Sequence, residues 1–171
     1  AFATRMQILK DTIEENPNCK TIICERSILA DKHVFASMLH DDGTIESMGF
    51  DIYKSMANNY MKDYPLNGII YIDAKPTTCI ERIEKRNRNG ESNIELSYLE
   101  SCKSYHDKWL EDSFKFISRN EPDRNIYFSS SEKSYLMHLK TDANAKFERG
   151  NPNDIANEWY QKLDEFICMF R

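Results

Sequence analysis

An α/β fold, with a parallel sheet flanked by helices, is what this sequence predicts, on two observations. Short continuous apolar runs stand at Thr21-Ile22-Ile23-Cys24, Ile69-Ile70-Tyr71-Ile72 and Tyr135-Leu136-Met137-His138-Leu139, and buried parallel strands read as such runs rather than as strict alternation. Around these runs apolar residues recur at helical spacing. Strands alternating with helices imply parallel strands joined by right-handed crossovers, and in such sheets ligands sit at the C-terminal strand ends.

The first element is a helix, with Phe2, Met6, Leu9 and Ile13 on one face. The chain opens on it at Ala1 with no residue before it to act as a cap, so a preceding segment is expected. Asn16-Pro17-Asn18 is a turn signal, and the first strand at Thr21 to Cys24 ends abruptly in Glu25-Arg26-Ser27. Helical spacing resumes over 28–39 and breaks at Asp41-Asp42-Gly43, before a helix with Phe50, Tyr53, Ala57, Tyr60 and Tyr64 along one side. The second strand, Ile69 to Ile72, follows Pro65 to Gly68, and Asp73 falls with Glu25 and Arg26 at the ligand edge. Lys75-Pro76 then starts a helix that ends in Arg82, Arg86 and Arg88, closed by an Asn89-Gly90 loop. A long helix is predicted over 95–116, with Leu99, Cys102, Tyr105 or His106, and Trp109 on its buried side. The polar stretch 118–134 reads as loop. Either 135–139 or 125–128 supplies the third strand, because periodicity does not choose between them. Ile155, Trp159, Leu163 and Phe166 mark a final amphipathic helix.

Composition narrows the function. The 171 residues are 40% hydrophobic and 12% aromatic with a net charge of −5, which suits one globular domain with its own core. An acidic balance argues against wrapping a nucleic-acid polymer, which needs a Lys/Arg surface to displace counterions. The five cysteines are scattered, odd in number and without C-x-x-C spacing, so neither a zinc site nor a disulfide framework is predicted, and a reducing cytoplasmic setting is expected. No apolar run approaches the roughly 20 residues of a membrane helix.

Three groups of residues can carry chemistry. Glu25 and Arg26 leave a strand at the ligand edge, where a guanidinium grips phosphate and a carboxylate holds hydrated Mg²⁺; an ion pair closing the sheet is the alternative. Arg82 and Arg86 are four residues apart and share a helix face, which lets them converge on a multiply charged anion, unless Glu81 and Glu84 merely pair with them. Asp31 and Phe35, one helical turn apart, can line a pocket together with Arg5: a ring stacks on a base and a carboxylate accepts from an exocyclic amine. The four histidines show no metal-ligand spacing.

Three strings then resemble the deoxycytidine/deoxyguanosine kinase branch of the deoxynucleoside kinases: Glu-Arg-Ser-Ile-Leu-Ala-Asp-Lys-His-Val-Phe-Ala at 25–36, Gly-Ile-Ile-Tyr-Ile at 68–72, and Arg-Ile-Glu-Lys-Arg-Asn-Arg at 82–88. Residues 96–110 are similar to the helix that follows the family's lid. The resemblance implies a P-loop nucleoside/nucleotide kinase-like three-layer architecture, a single domain over 1–171 lacking its N-terminal phosphate-loop part, and transfer of phosphate from ATP with Mg²⁺ to the 5′-hydroxyl of a deoxynucleoside. It makes Arg26, Arg82, Arg86 and Arg88 catalytic, Glu25 the residue near the metal, and Phe35 the base-stacking ring. Arg5 and Asp31 then face the base edge, favouring deoxycytidine or purine deoxynucleosides over thymidine. Glu91 is similar to the acid at the sugar 3′-hydroxyl, and Asp142, Ala143 and Asn144 to the donor-base loop. A homodimer is implied, and neither a membrane nor a nucleic-acid polymer is an expected partner. The family's phosphate loop and catalytic carboxylate are expected before Ala1, so the chain alone is expected to be inactive. Two other readings stay open: a non-catalytic nucleoside-binding or partner subunit, and a thymidylate-type nucleoside monophosphate kinase.

Overall fold

A computed structural model describes residues 2–91, 93–115, 125–143, 145, 147, 151 and 153–170. Helix α1 (Phe2–Glu15) leads to an extended stretch and then to a continuous helix in three parts: α2 (Ile28–Ala30), a π-helical segment (Asp31–Ala36) and α3 (Ser37–Asp41). After α4 (Ser47–Asp63) come β1 (Gly68–Asp73), α5 (Pro76–Arg86), α6 (Leu96–Phe114), β2 (Ile126–Ser129), β3 (Ser134–Lys140) and α7 (Ile155–Cys168).

The sheet order is β1-β3-β2. β1 and β3 run parallel, with Gly68 opposite Tyr135 and Asp73 opposite Lys140, while β2 pairs antiparallel with β3, Ile126 opposite Met137. Both segments that competed for the third strand are therefore strands, joined as a hairpin. The sheet is mixed rather than wholly parallel, and the expected loop over 118–134 is loop only in part.

Strand alternation builds three layers. Leu136, Ile69, Tyr71 and Tyr127 pack with Leu29, Val34, Trp109, Leu110 and Phe114 of the helices on one face. On the other, Met137, Leu139, Ile70 and Ile126 pack with Trp159, Leu163 and Phe166 of α7. Successive side chains of a strand point to opposite faces, so one strand feeds both cores. α1 and α4 close a smaller cluster around Ile28, Ala57 and Tyr60, and the Tyr60 hydroxyl donates to the Met6 carbonyl at 2.9 Å.

Segment 21–24 departs from expectation. It is extended but pairs with no strand among the described residues, and Ile23 is 68% exposed. Apolar composition predicts burial, but a strand also needs a hydrogen-bonding neighbour, and among the described residues β1 pairs with β3 alone. A cleft lies between this segment and β1, with Ile23 on one side and Ile70 and Ile72 on the other. Ile72 is 60% exposed.

The π segment is a second departure. A turn of this width leaves a carbonyl to be satisfied, and the Ser37 hydroxyl donates to the Lys32 carbonyl at 3.0 Å. Such turns occur mostly as short insertions in α-helices, frequently at functional sites; here it carries Asp31 and Phe35. Among the described residues no helix is long and apolar enough to cross a membrane.

Candidate functional site

Ser27 sets the start of the site. Its hydroxyl accepts from the Ala30 N–H at 3.1 Å, capping α2, and the residue before it, Arg26, takes φ +59. That left-handed backbone costs a non-glycine residue roughly 1 kcal/mol. It turns the guanidinium over the Phe35 ring, 4.0 Å from the centroid, a cation–π contact that offsets part of the cost.

Arg5, reaching over from α1, donates through Nε to Asp31 Oδ2 at 2.8 Å and through Nη1 to the Glu25 carbonyl at 3.4 Å. Asp31 is buried and Arg5 half-buried. One helix thus fixes both the carboxylate beside Phe35 and the backbone that presents Glu25 and Arg26. These five expected site residues come together; Glu25 and Arg26 stay exposed.

Beside them lies a polar network that sequence reasoning did not assemble. Asp73, ending β1, is 2.9 Å from His138 Nε2 and 2.9 Å from Lys103 Nζ, and Lys103 also reaches Asp107 at 3.2 Å. The His138 hydrogen bond, with Lys103 adding to it, holds the Asp73 carboxyl at about 2, against the effect of burial. Burial pushes the Lys103 ammonium down, but its bonds to Asp73 and Asp107 outweigh this and raise it. The Tyr71 hydroxyl donates to Asp107 at 3.3 Å and its ring stacks between His106 and His138, each at 5.6 Å. Burial, then the charges of Asp73 and Asp107, push the Tyr71 phenol up. His106 Nδ1 lies 2.7 Å from the Cys102 carbonyl, and burial lowers its pKa. The i, i+4 spacing of Lys103 and Asp107 is the available sequence signal; their meeting with Asp73 and His138 depends on tertiary contacts.

A cavity of 1370 Å³ opens here, its polar end lined by Glu25, Arg26, Phe35, Lys103 and His106. It continues into the apolar cleft beside β1.

Along α5 and just past its end, the three arginines do three different things. Arg82 donates to the Thr141 carbonyl and, at 3.3 Å, to that of Ala143. Arg86 binds Glu91 Oε2 through Nε at 3.1 Å and Nη2 at 2.5 Å. Arg88 is exposed, past the left-handed Asn87 that ends α5. Gly90 takes φ +89 in the turn before Glu91, a conformation that suits glycine. Asp142 accepts from the Lys75 N–H at 2.7 Å. Asn144 lies outside the described residues.

Mg²⁺ is usually held by one or two carboxylates plus substrate phosphates. Glu25, an exposed residue that lines the cavity and precedes Arg26 in the chain, offers one such carboxylate. Among the described residues no group of three or more acidic, histidine or cysteine side chains is placed to hold a metal on its own.

Comparison with known proteins adds a family. A family model described as deoxynucleoside kinase matches residues 1–164. The chain is 35% identical over 119 residues to a probable deoxycytidine kinase of fowlpox virus (strain NVSL), covering 66% of this chain and 48% of the viral protein. It is 39% identical over 90 residues to human deoxycytidine kinase, covering 50% of this chain and 35% of the human one. Against the mitochondrial deoxyguanosine kinase of Xenopus laevis the identity is 33% over 92 residues, 52% of this chain and 35% of that protein. The chain thus spans about half the length, or less, of these curated relatives.

Proposed function

The chain belongs to the deoxynucleoside kinase family, and from that premise we propose that the protein transfers the γ-phosphate of ATP to the 5′-hydroxyl of a deoxynucleoside. The observation that carries the reading is the convergence, at one sheet edge, of Arg26 over Phe35 with the Arg5–Asp31 pair anchored beside them.

In this reading the nucleoside base stacks on Phe35, where Arg26 now lies, and its edge meets Asp31 and Arg5. A buried acceptor already oriented by a guanidinium suits a base with an exocyclic amine, so deoxycytidine or a purine deoxynucleoside is favoured over thymidine. Arg26, Arg82, Arg86 and Arg88 supply positive charge around the transferring phosphoryl, since phosphoryl transfer depends chiefly on positioning and electrostatic stabilisation. Glu91, bound to Arg86, takes the sugar 3′-hydroxyl, so sugar binding and one lid arginine are linked. Mg²⁺, when bound, neutralises charge on the donor phosphates; Glu25 would hold it. Asp142, Ala143 and Asn144 border the donor base.

The phosphate-binding loop and the carboxylate that accepts the 5′-hydroxyl proton belong, in this proposal, to a segment preceding residue 1, and the apolar cleft beside β1 has room for a strand of it. We further place residues 1–171 in a single domain, and the protein in the cytoplasm as a homodimer, without nucleic-acid or membrane partners.

The test is a phosphorylation assay on an N-terminally extended protein with ATP and Mg²⁺, offering the four deoxynucleosides and dTMP, with the 171-residue chain as control. Turnover of deoxycytidine or a purine deoxynucleoside by the extended protein alone is expected. Preferential use of dTMP, or no turnover by a folded extended protein, would overturn the reading.

A further inference from the structure

Helix α5 and the loop after β3 hold each other by bonds running in opposite directions. At the start of α5, the Lys75 side chain makes no capping bond, and the first N–H groups of a helix have no partner within it. Asp142 supplies one from across the fold: its Oδ1 accepts from the Lys75 N–H at 2.7 Å and lies 3.5 Å from the Thr78 hydroxyl. This is the back half of a capping box made by a distant residue, with a negative charge at the positive end of the helix.

The return bond comes from inside α5. Arg82 donates to the carbonyls of Thr141 and Ala143, on either side of Asp142. The root of the loop is fastened separately, since the Thr141 N–H and hydroxyl both donate to the Asp73 carbonyl, at 2.7 and 3.1 Å. The loop is thus tied to the end of β1 at its root and to α5 by both its carboxylate and its carbonyls.

We propose that Asp142 and Arg82 form a reciprocal clasp that makes α5 and loop 141–143 one unit, so that a nucleotide seated on the loop sets where Arg86 and Glu91, at the far end of α5, are held. Asp142 is then a positioning residue, acting through the helix, rather than a reader of the donor base. The route from donor to Arg86 rests on the proposed kinase reading; the clasp itself does not.

Hydrogen exchange measured by mass spectrometry on the 171-residue chain tests the clasp without any activity. Asp142→Ala is expected to raise exchange roughly five- to tenfold in residues 75–80, the order set by loss of one capping bond, and to raise it in 139–143 as well. Arg82→Gln is expected to affect the same two segments, and the double variant no more than the stronger single one. Asp142→Asn, whose amide oxygen accepts the same bond, is expected to stay within about twofold of the parent. Unchanged exchange in 75–80 for Asp142→Ala overturns the clasp. Should Asp142→Ala fail to fold, an Arg82→Gln chain whose two segments respond independently overturns it equally.

Steady-state kinetics on the N-terminally extended protein test the route. Asp142→Ala is expected to lower kcat at saturating donor by tenfold or more, with donor KM within threefold, and Asp142→Asn to restore kcat. A rise in donor KM with kcat unchanged would instead make Asp142 a direct contact to the base and overturn the positioning role. Absence of turnover in the parent protein would count against the kinase reading and the route built on it, while the exchange result still decides the clasp.

Discussion

The Arg26 guanidinium lies 4.0 Å from the centre of the Phe35 ring, and both residues reach that position from unusual backbone: φ +59 at Arg26, a π turn at Phe35. The face of Phe35 that would stack on a base is the face Arg26 covers. Under the proposed function, nucleoside binding exchanges one ring partner for another and releases Arg26 toward the phosphate side.

Stacking of a base on an aromatic ring contributes about 1–3 kcal/mol. Phe35→Ala in the extended protein is expected to weaken deoxycytidine binding by roughly tenfold or more, measured by calorimetric titration. An unchanged Kd would remove Phe35 from the site.

The Arg5–Asp31 pair is unequal. The Asp31 side chain is 12% exposed, whereas that of Arg5 is 33% exposed. Removing Arg5 leaves a buried carboxylate without its cation, so Arg5→Ala is expected to destabilise the fold by about 2–3 kcal/mol. Asp31→Ala leaves a guanidinium that water can reach, and about 1 kcal/mol is expected. Urea unfolding of both variants checks this, and equal losses would contradict the asymmetry.

His33 gives stability a pH dependence. Its ring stacks on Trp109, 5.3 Å between centres with the planes 1° apart, and Nε2 is buried without a hydrogen bond. Glu132, at 4.0 Å, is too far to provide one. Burial first, then the Lys32 charge, lower its pKa from 6.5 to about 4, while Asp112 opposes them. The folded state thus takes up this proton less readily than the unfolded chain, so the stability involved is complete above about pH 6.5 and is lost as pH falls toward 4. Between pH 7 and 4 the parent chain is expected to lose roughly 2 kcal/mol more than His33→Gln, read from the difference in urea midpoints. Parallel profiles for the two proteins would contradict this.

Gly68 opens β1 where the sheet meets α7. A Cβ there would come within 2.9 Å of both Phe166 Cζ and Phe170 Cζ. Phe166 is buried, so its ring has little freedom to yield, and Gly68→Ala is expected to cost about 1–2 kcal/mol. A thermal melt at or above the parent Tm would show that the rings move aside freely.

Legibility in the sequence tracks the range of the interactions involved. α1, α4, α6 and α7 are each written in their own spacing, and Pro76 announces α5. The hairpin of β2 and β3 is half visible, because apolar content marks both segments but pairing is settled only across the turn. Segment 21–24 misleads for the complementary reason: Ile22 and Ile23 advertise burial, yet no described neighbour pairs with them. Asp31 and Phe35 are grouped by their one-turn spacing, whereas the bond that brings Arg5 to Asp31 spans 26 residues of chain and no local pattern spells it out. The bonds of Asp73 to Lys103 and His138, and of Asp142 to Lys75, join distant stretches whose residue types are ordinary taken singly.

The π turn at 31–36 also bears on how the protein tolerates changes of length. It spends more residues per turn than the 3.6 of an α-helix, so a one-residue deletion there offers the backbone its commoner winding. The cost would fall at the turn itself, because a residue lost between Asp31 and Phe35 changes the spacing at which the carboxylate and the ring are presented, while the helix beyond it, with Met38 packed on the core, keeps its phase. Laboratory variation of this stretch should therefore accept exchanges of side chain far more readily than any shortening or lengthening of the chain.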